Sequence, residues 1–372
     1  MKKKRLQYID LARGFAILAI VYSHFTNQVS VVKPDLATSF GICFLSQFHV
    51  MLFFIIRGLV LANQGTIGQK GHILKRCKAL LVPYVVFSVL NILYLAIDMA
   101  GKGSDRIVIE VERNLIHAVT LYGISVLWFL PALLLGKVWL VLIVKKIKQR
   151  YVPYLMVVLM TVICVVSPYF SVKETGCIWM SSMQMLILNY ILVVLLRSLV
   201  ALFYIWTGFV TADFFEQLYG NQKRIGTYAF ILLGSGCFLF LFSATVELHY
   251  LDMGKGWFSI LCSLCLSFGF LIAFMLLEKR DLSRLCYPGK DSLWIMCTHK
   301  DFGIPGWCVF VAEYTASASP RAKNYIFWFA AAATLFLIEF IICFVIRKSQ
   351  AFLLLQKQIK YEYVDKTGMI NP

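Results

Sequence analysis

The chain has 372 residues, 60% hydrophobic and only 15% charged, with a mean hydropathy of +0.77; that composition excludes a soluble globular protein of this length. The net charge of +17 would suit a nucleic-acid binder, but the cations are sorted by side of a membrane rather than gathered in a patch, so no nucleic-acid partner is expected. The apolar residues run continuously for about 20 residues at a time, the length that crosses a ~30 Å hydrocarbon core, and do not alternate as barrel strands do. The expected fold is therefore all-α, a polytopic helical membrane protein with about ten transmembrane helices.

In chain order the spans are expected near residues 8–28, 40–63, 79–99, 123–144, 152–171, 184–213, 226–246, 256–278, 291–312 and 325–347. With the N-terminus inside, 23 Lys and Arg fall on the inner side and 8 on the outer, which places both termini in the cytoplasm. The sixth span is too long for a simple crossing and carries Arg197 midway; it reads as a tilted helix or as a half-helix followed by a full one. No repeat or soluble insertion interrupts the series. Residues 1–348 therefore read as a single membrane-embedded domain, and 349–372 as a short cytoplasmic tail. The N-terminus has the basic start of a signal peptide but no small-x-small cleavage site, so it reads as a retained first span. Most of the eleven cysteines sit in apolar runs, and only Cys177 lies clearly in an outer loop, which leaves no disulfide framework. "CSLC" (262–265) lies mid-span without a second pair; it reads as buried hydrophobes, and no metal is expected.

Ionisable groups inside spans carry the functional signal, because each is costly in lipid. In "YIDLARGFAILAIVYSHF" the 3.6-residue period puts Asp10, Arg13, Ile17, Ile20 and His24 on one stripe. Asp10 and Arg13 can pair near the cytoplasmic boundary, and His24 lies ~16 Å further out. The bland alternatives are a snorkelling interfacial salt bridge and a histidine bonded to a neighbouring helix. A neutral imidazole is cheaper to bury than a charge and is the usual general base. "FHVMLFFIIRG" (48–58) enters from outside, so His49 falls at a depth comparable with His24, and Arg57 lies towards the cytoplasmic third. Lys75, Arg76 and Lys78 in "HILKRCKALLVPY" (72–84) stand at the cytoplasmic mouth, as ordinary anchors or as receivers of a nucleotide cofactor's phosphates. Trp128 in "LYGISVLWFLPALLL" (121–135) is either an outer aromatic platform or a belt residue beside a proline kink. "GKDSLWIMCTHKDF" (289–302) brings His299, Lys300 and Asp301 in succession, of which only some can face one cavity.

Taken together, "IDLARGFAILAIVYSHF" resembles the first span of the acyltransferase-3 family of integral membrane O-acyltransferases, and "FHVMLFFIIRG" its second-span block. "LKRCKALLVPY", "LWFLPALLL" and "GKDSLWIMCTH" are similar to later blocks in the same order, most of all in the fucose-4-O-acetylase-like branch. The resemblance implies transfer of an acetyl group from acetyl-CoA to a sugar hydroxyl of a surface or cell-wall glycan or its lipid-linked precursor, in the bacterial cytoplasmic membrane. It implies catalytic roles for His24 and Arg13, with Asp10 beside them. His24 would be a general base or a covalent acyl carrier, the former preferred. Arg76 matches the first arginine of the family's Arg-x-x-Arg pair, while the second falls on Ala79, so Lys75 or Lys78 would share the CoA phosphates. Val50–Met51 replaces Met-Pro, and Arg57 stands where a serine is usual. His49, Trp128 and His299 are the candidate acceptor contacts. Two other readings stay open: succinyl or another acyl chain passed to an exopolysaccharide, and a lipid-linked glycan transporter, for which intramembrane Arg, His and Asp are equally suited.

Overall fold

A computed structural model describes residues 6–32, 39–65, 70–170, 183–219, 221–278, 282, 286–317 and 323–367. The described residues form helices joined by turns, and the chain divides into two compact units, residues 1–302 and 303–372. In the first unit the helices are α1 (Gln7–Val32), α2 (Ser39–Ser46), α3 (His49–Gln64), α4 (Lys70–Gly101), α5 (Ile107–Val119), α6 (Phe129–Lys146) and α7 (Val152–Phe170). They continue with α8 (Met183–Val210), α9 (Ala212–Leu218), α10 (Gln222–Phe240), α11 (Trp257–Leu277), α12 (Cys286–Lys290) and α13 (Ser292–Thr298). The second unit holds α14 (Ile304–Ser317) packed on α15 (Lys323–Thr367).

Eight helical stretches among the described residues are long and apolar enough to cross a membrane, so the chain is an all-α multi-pass protein. Two of the ten expected spans differ, each for a local reason. The stretch expected at 291–312 is broken: α13 ends at Thr298, Phe302 and Gly303 take left-handed φ of 58° and 69°, and α14 starts at Ile304. α10 is a continuous 19-residue helix, but Lys223 and Arg224 occupy its first turn and shorten its apolar length. The long sixth span is a helix running from Met183 to Leu218, interrupted only by a turn at Thr211. The second span is broken at Gln47–Phe48, which sets His49 at the start of α3.

Packing in the first unit depends on close helix approach rather than on hydrophobic expulsion, as expected where lipid is as apolar as leucine. α3 and α8 touch through Gly58 and Gly208: a Cβ at Gly58 would run into the Ile205 carbonyl, and one at Gly208 into the Ile55 carbonyl. Gly289 on α12 does the same against α1, where a Cβ would meet the Asp10 carbonyl oxygen. Buried polar pairs join the same elements. Trp139 Nε1 of α6 donates to Ser198 Oγ of α8 at 2.9 Å, and the Tyr204 and Ser263 hydroxyls link α8 to α11 at 2.6 Å. Outward, α4 presents Val82, Val86, Val89, Leu93 and Ile97 at helical spacing, a stripe fit for lipid. α5 half-buries His117 and exposes Val108, Ile109, Leu115 and Val119 beside its charges, as an interfacial helix does.

Candidate active site

The polar stripe of α1 faces inward. Asp10 is 4% exposed, and Ile17 and Ile20, further along the stripe, are buried. Arg13 Nη1 stands 3.9 Å from Asp10 Oδ1, so the expected i,i+3 pair is present at the N-terminal end of α1. Burial of Asp10 and the close approach of Gly289 to its carbonyl fix this end of α1 inside the protein rather than at a snorkelling surface.

At the other end of the stripe His24 meets His299, their ring centroids 5.3 Å apart. His299 is 2% exposed, and its Nδ1 lies 2.8 Å from the Ile295 carbonyl oxygen. A carbonyl only accepts, so Nδ1 carries the proton and Nε2 the lone pair in the neutral ring. That Nε2 is buried and has no hydrogen-bond partner among the described residues. His49 has the opposite arrangement. The Val50 amide, one of the first-turn donors left open at a helix start, donates to His49 Nδ1 at 2.7 Å. The proton of a neutral His49 is therefore on Nε2, a donor. His49 acts electrostatically on both His24 and His299, so three imidazoles from α1, α3 and the end of α13 share one region. Lys300, next in sequence, is exposed and acts on the His24 and His299 rings.

Towards the N-terminal end of α1 from these rings lies a cavity of about 250 Å³. Arg13, Arg57 and Lys137 line it together with Phe53, Phe129 and Ala79, and no carboxylate is among its described lining residues. Along α3, Arg57 is eight residues from His49, ~12 Å at 1.5 Å per residue. Lys78 is exposed and precedes Ala79 on α4. The side chains of Lys75 and Arg76 lie outside the described residues. A larger cavity of about 350 Å³ beside Cys164, Ser167 and Asp252 is lined by none of these histidines or cations.

Trp128 is buried in a 3₁₀ turn (Ser125–Trp128), not placed in an exposed belt. It stacks edge-on against His249 at 6.0 Å and lies 5.6 Å from the Arg197 guanidinium. Arg197, 1% exposed, lies 4.3 Å over the Tyr122 ring. It donates through Nη1 to the Tyr122 carbonyl at 2.9 Å and through Nη2 to the His249 carbonyl. His117 completes the group against Tyr122 and Tyr190. Burial, with Arg113 and Arg197 nearby, lowers the His117 pKa to about 4; burial, then Arg197 and Lys300, holds His249 well below its ordinary value. Sequence reasoning placed Arg197 mid-span but missed His117 and His249. Their signal was available: two histidines in outer connections, one of them close before the Trp128 block.

Among the described residues no three His, Cys, Asp or Glu side chains are grouped to hold a metal ion. Cys262 of "CSLC" instead lies against the Gly236 carbonyl at 3.4 Å.

No curated protein and no solved structure matches the chain. The acyltransferase-3 family, an acyltransferase domain, matches residues 6–348 and so takes in α1 through most of α15. That match, spanning the polar stripe of α1, the cationic cavity and the histidines beyond it, decides between enzyme and transporter: the chain belongs to the acyltransferase-3 family and is a multi-pass membrane acyltransferase.

Proposed function

We propose that the protein is an O-acetyltransferase of the bacterial cytoplasmic membrane, moving acetyl from cytoplasmic acetyl-CoA to a hydroxyl of a surface or cell-wall glycan or its lipid-linked precursor. The observation that carries this reading is the axial order of the site: a cationic cavity towards the N-terminal end of α1 and paired histidines towards its other end. Three cations with aromatic neighbours suit a phosphate-bearing donor whose acyl end must reach inward. The donor supplies an activated thioester carbonyl. His24, less buried than His299, takes the acceptor hydroxyl's proton as the new oxygen–acyl bond forms. It returns that proton to the thiolate released when the carbon–sulfur bond breaks. His299 offers only a lone pair at Nε2, and so orients an N–H or O–H group beside His24. His49 offers an N–H to the carbonyl oxygen or to the acceptor.

The test is transfer of labelled acetyl from acetyl-CoA by the purified protein in detergent, paired with mass spectrometry of surface glycans from cells with and without the gene. Labelled glycan, and loss of one acetyl mass per modified sugar in the deletion, is the expected result. Transfer of succinyl but not acetyl would move the reading to a dicarboxylic donor, and glycans unchanged by the deletion would reject the acceptor class.

A further inference from the structure

The cavity that Arg13, Arg57 and Lys137 share is built from three different helices, α1, α3 and α6. Lys137 is 8% exposed, lies in a membrane-spanning helix and lines this cavity. The α4 wall of the same cavity carries no charge, because the residue there is Ala79. The cations at the cytoplasmic end of α4 stop one residue earlier, at Lys78. Positive charge inside the cavity therefore comes from α1, α3 and α6, not from α4.

Distance along the helices adds a second constraint. Arg57 lies ~12 Å from His49, and Arg13 ~16 Å from His24, at 1.5 Å per residue. A pantetheine arm of about thirteen bonds between diphosphate and sulfur extends ~16 Å, given bond lengths near 1.5 Å. A diphosphate held at the cavity cations is thus within reach of the histidines with its thioester.

We propose, building on the donor reading above, that Arg57 and Lys137 join Arg13 to bind the donor's diphosphate inside the membrane-embedded cavity, and that Arg57 supplies from α3 the cation that α4 lacks at Ala79. Arg57 is then a determinant of donor specificity: it recognises the diphosphate, not the acyl group or the pantetheine. Lys78 and its neighbours are left with the outer parts of the nucleotide.

The experiment measures CoA binding by calorimetry on the full-length protein in nanodiscs, alongside acetyl transfer from acetyl-CoA and from acetyl-pantetheine, which has no diphosphate. Arg57→Ala and Lys137→Ala are each expected to weaken CoA binding by ~10–100-fold, the equivalent of one charge-assisted contact, and to lower transfer from acetyl-CoA by more than transfer from acetyl-pantetheine. Arg57→Ala/Ala79→Arg should regain most of the CoA affinity, since position 79 lines the same cavity. A merely structural Arg57 predicts equal loss with both donors and no rescue from α4, and that pattern overturns the proposal. So does undiminished CoA binding in Arg57→Ala. A wild-type protein that transfers acetyl from acetyl-pantetheine yet binds no CoA rejects the diphosphate site while sparing the acyl-transfer reading. One that neither binds CoA nor uses either donor rejects both.

Discussion

The two best-defined imidazoles of the site differ in what they can do, and the difference is set by single backbone contacts. His299 gives its Nδ1 proton to the Ile295 carbonyl, and His49 receives the Val50 amide on Nδ1, so one ring presents a lone pair and the other an N–H. His24 lies beside His299 on α1, the helix that also carries the cavity's Arg13. As the general base, His24→Ala should lose ~10²–10⁴ of the transfer rate, the usual worth of a positioned base, with CoA affinity unchanged; retained turnover would remove His24 from the chemistry. His299→Asn separates the two nitrogens of His299. The Asn amide can still donate to the Ile295 carbonyl but has nothing at the Nε2 position. We expect thermal stability near wild type and transfer reduced ~10-fold or more, about the effect of one lost hydrogen bond. A variant with full activity would make His299 a packing residue only.

Among elements, α8 joins the two halves of the site's surroundings. On one side its Gly208 lets α3 approach until backbones touch, which holds His49 and Arg57 at the depths where they are found. Gly208→Val would push a branched side chain into the Ile55 carbonyl, and overpacking of this kind costs ~1–3 kcal/mol or more; the expected readout is a lower thermal midpoint with less monodisperse protein after extraction. Eleven residues before Gly208, α8 presents Arg197, whose two Nη groups tie the Tyr122 and His249 carbonyls, one in each of two connections between helices. Both connections contain left-handed residues, Leu121 and Gly123 in the first and Leu251 and Gly254 in the second, so their course depends on being held. Arg197→Lys keeps the charge but loses the planar fork. It is expected to raise the acceptor KM while leaving CoA affinity unchanged, a split that follows because Arg197 is not among the described lining residues of the cationic cavity. Equal weakening of both would assign Arg197 a global structural role.

At the scale of the molecule, the helical class and most of the crossings were legible because a lipid solvent imposes continuous apolar runs on the sequence. The inward stripe of α1 was legible from the 3.6-residue period alone, since Asp10 and Arg13 do pair. The break at His299–Gly303 was not, because Phe302 takes its left-handed φ against its own preference and only the surrounding fold requires it. Nor was the cavity, whose cations come from α1, α3 and α6 and share no local spacing. The outer group around Arg197 was missed for the same reason: His117, Tyr122 and His249 meet only in three dimensions. That group makes the whole molecule acid-sensitive in a defined window. His117 has a folded pKa near 4 against an ordinary 6.5, so between those values the unfolded chain takes up a proton that the folded chain refuses. Stability from this group is complete above pH 6.5 and falls as the pH drops towards 4, and His249, held low by burial, then Arg197 and Lys300, adds in the same direction. His117→Phe keeps a ring against Tyr122 and Tyr190, removes the titration, and leaves no buried Nε2 without a partner. The thermal midpoint of the wild type in detergent should therefore fall as pH is lowered from 6.5 to 4, and the fall should be smaller in His117→Phe; identical profiles for the two proteins would show that His117 is not neutral in the folded state.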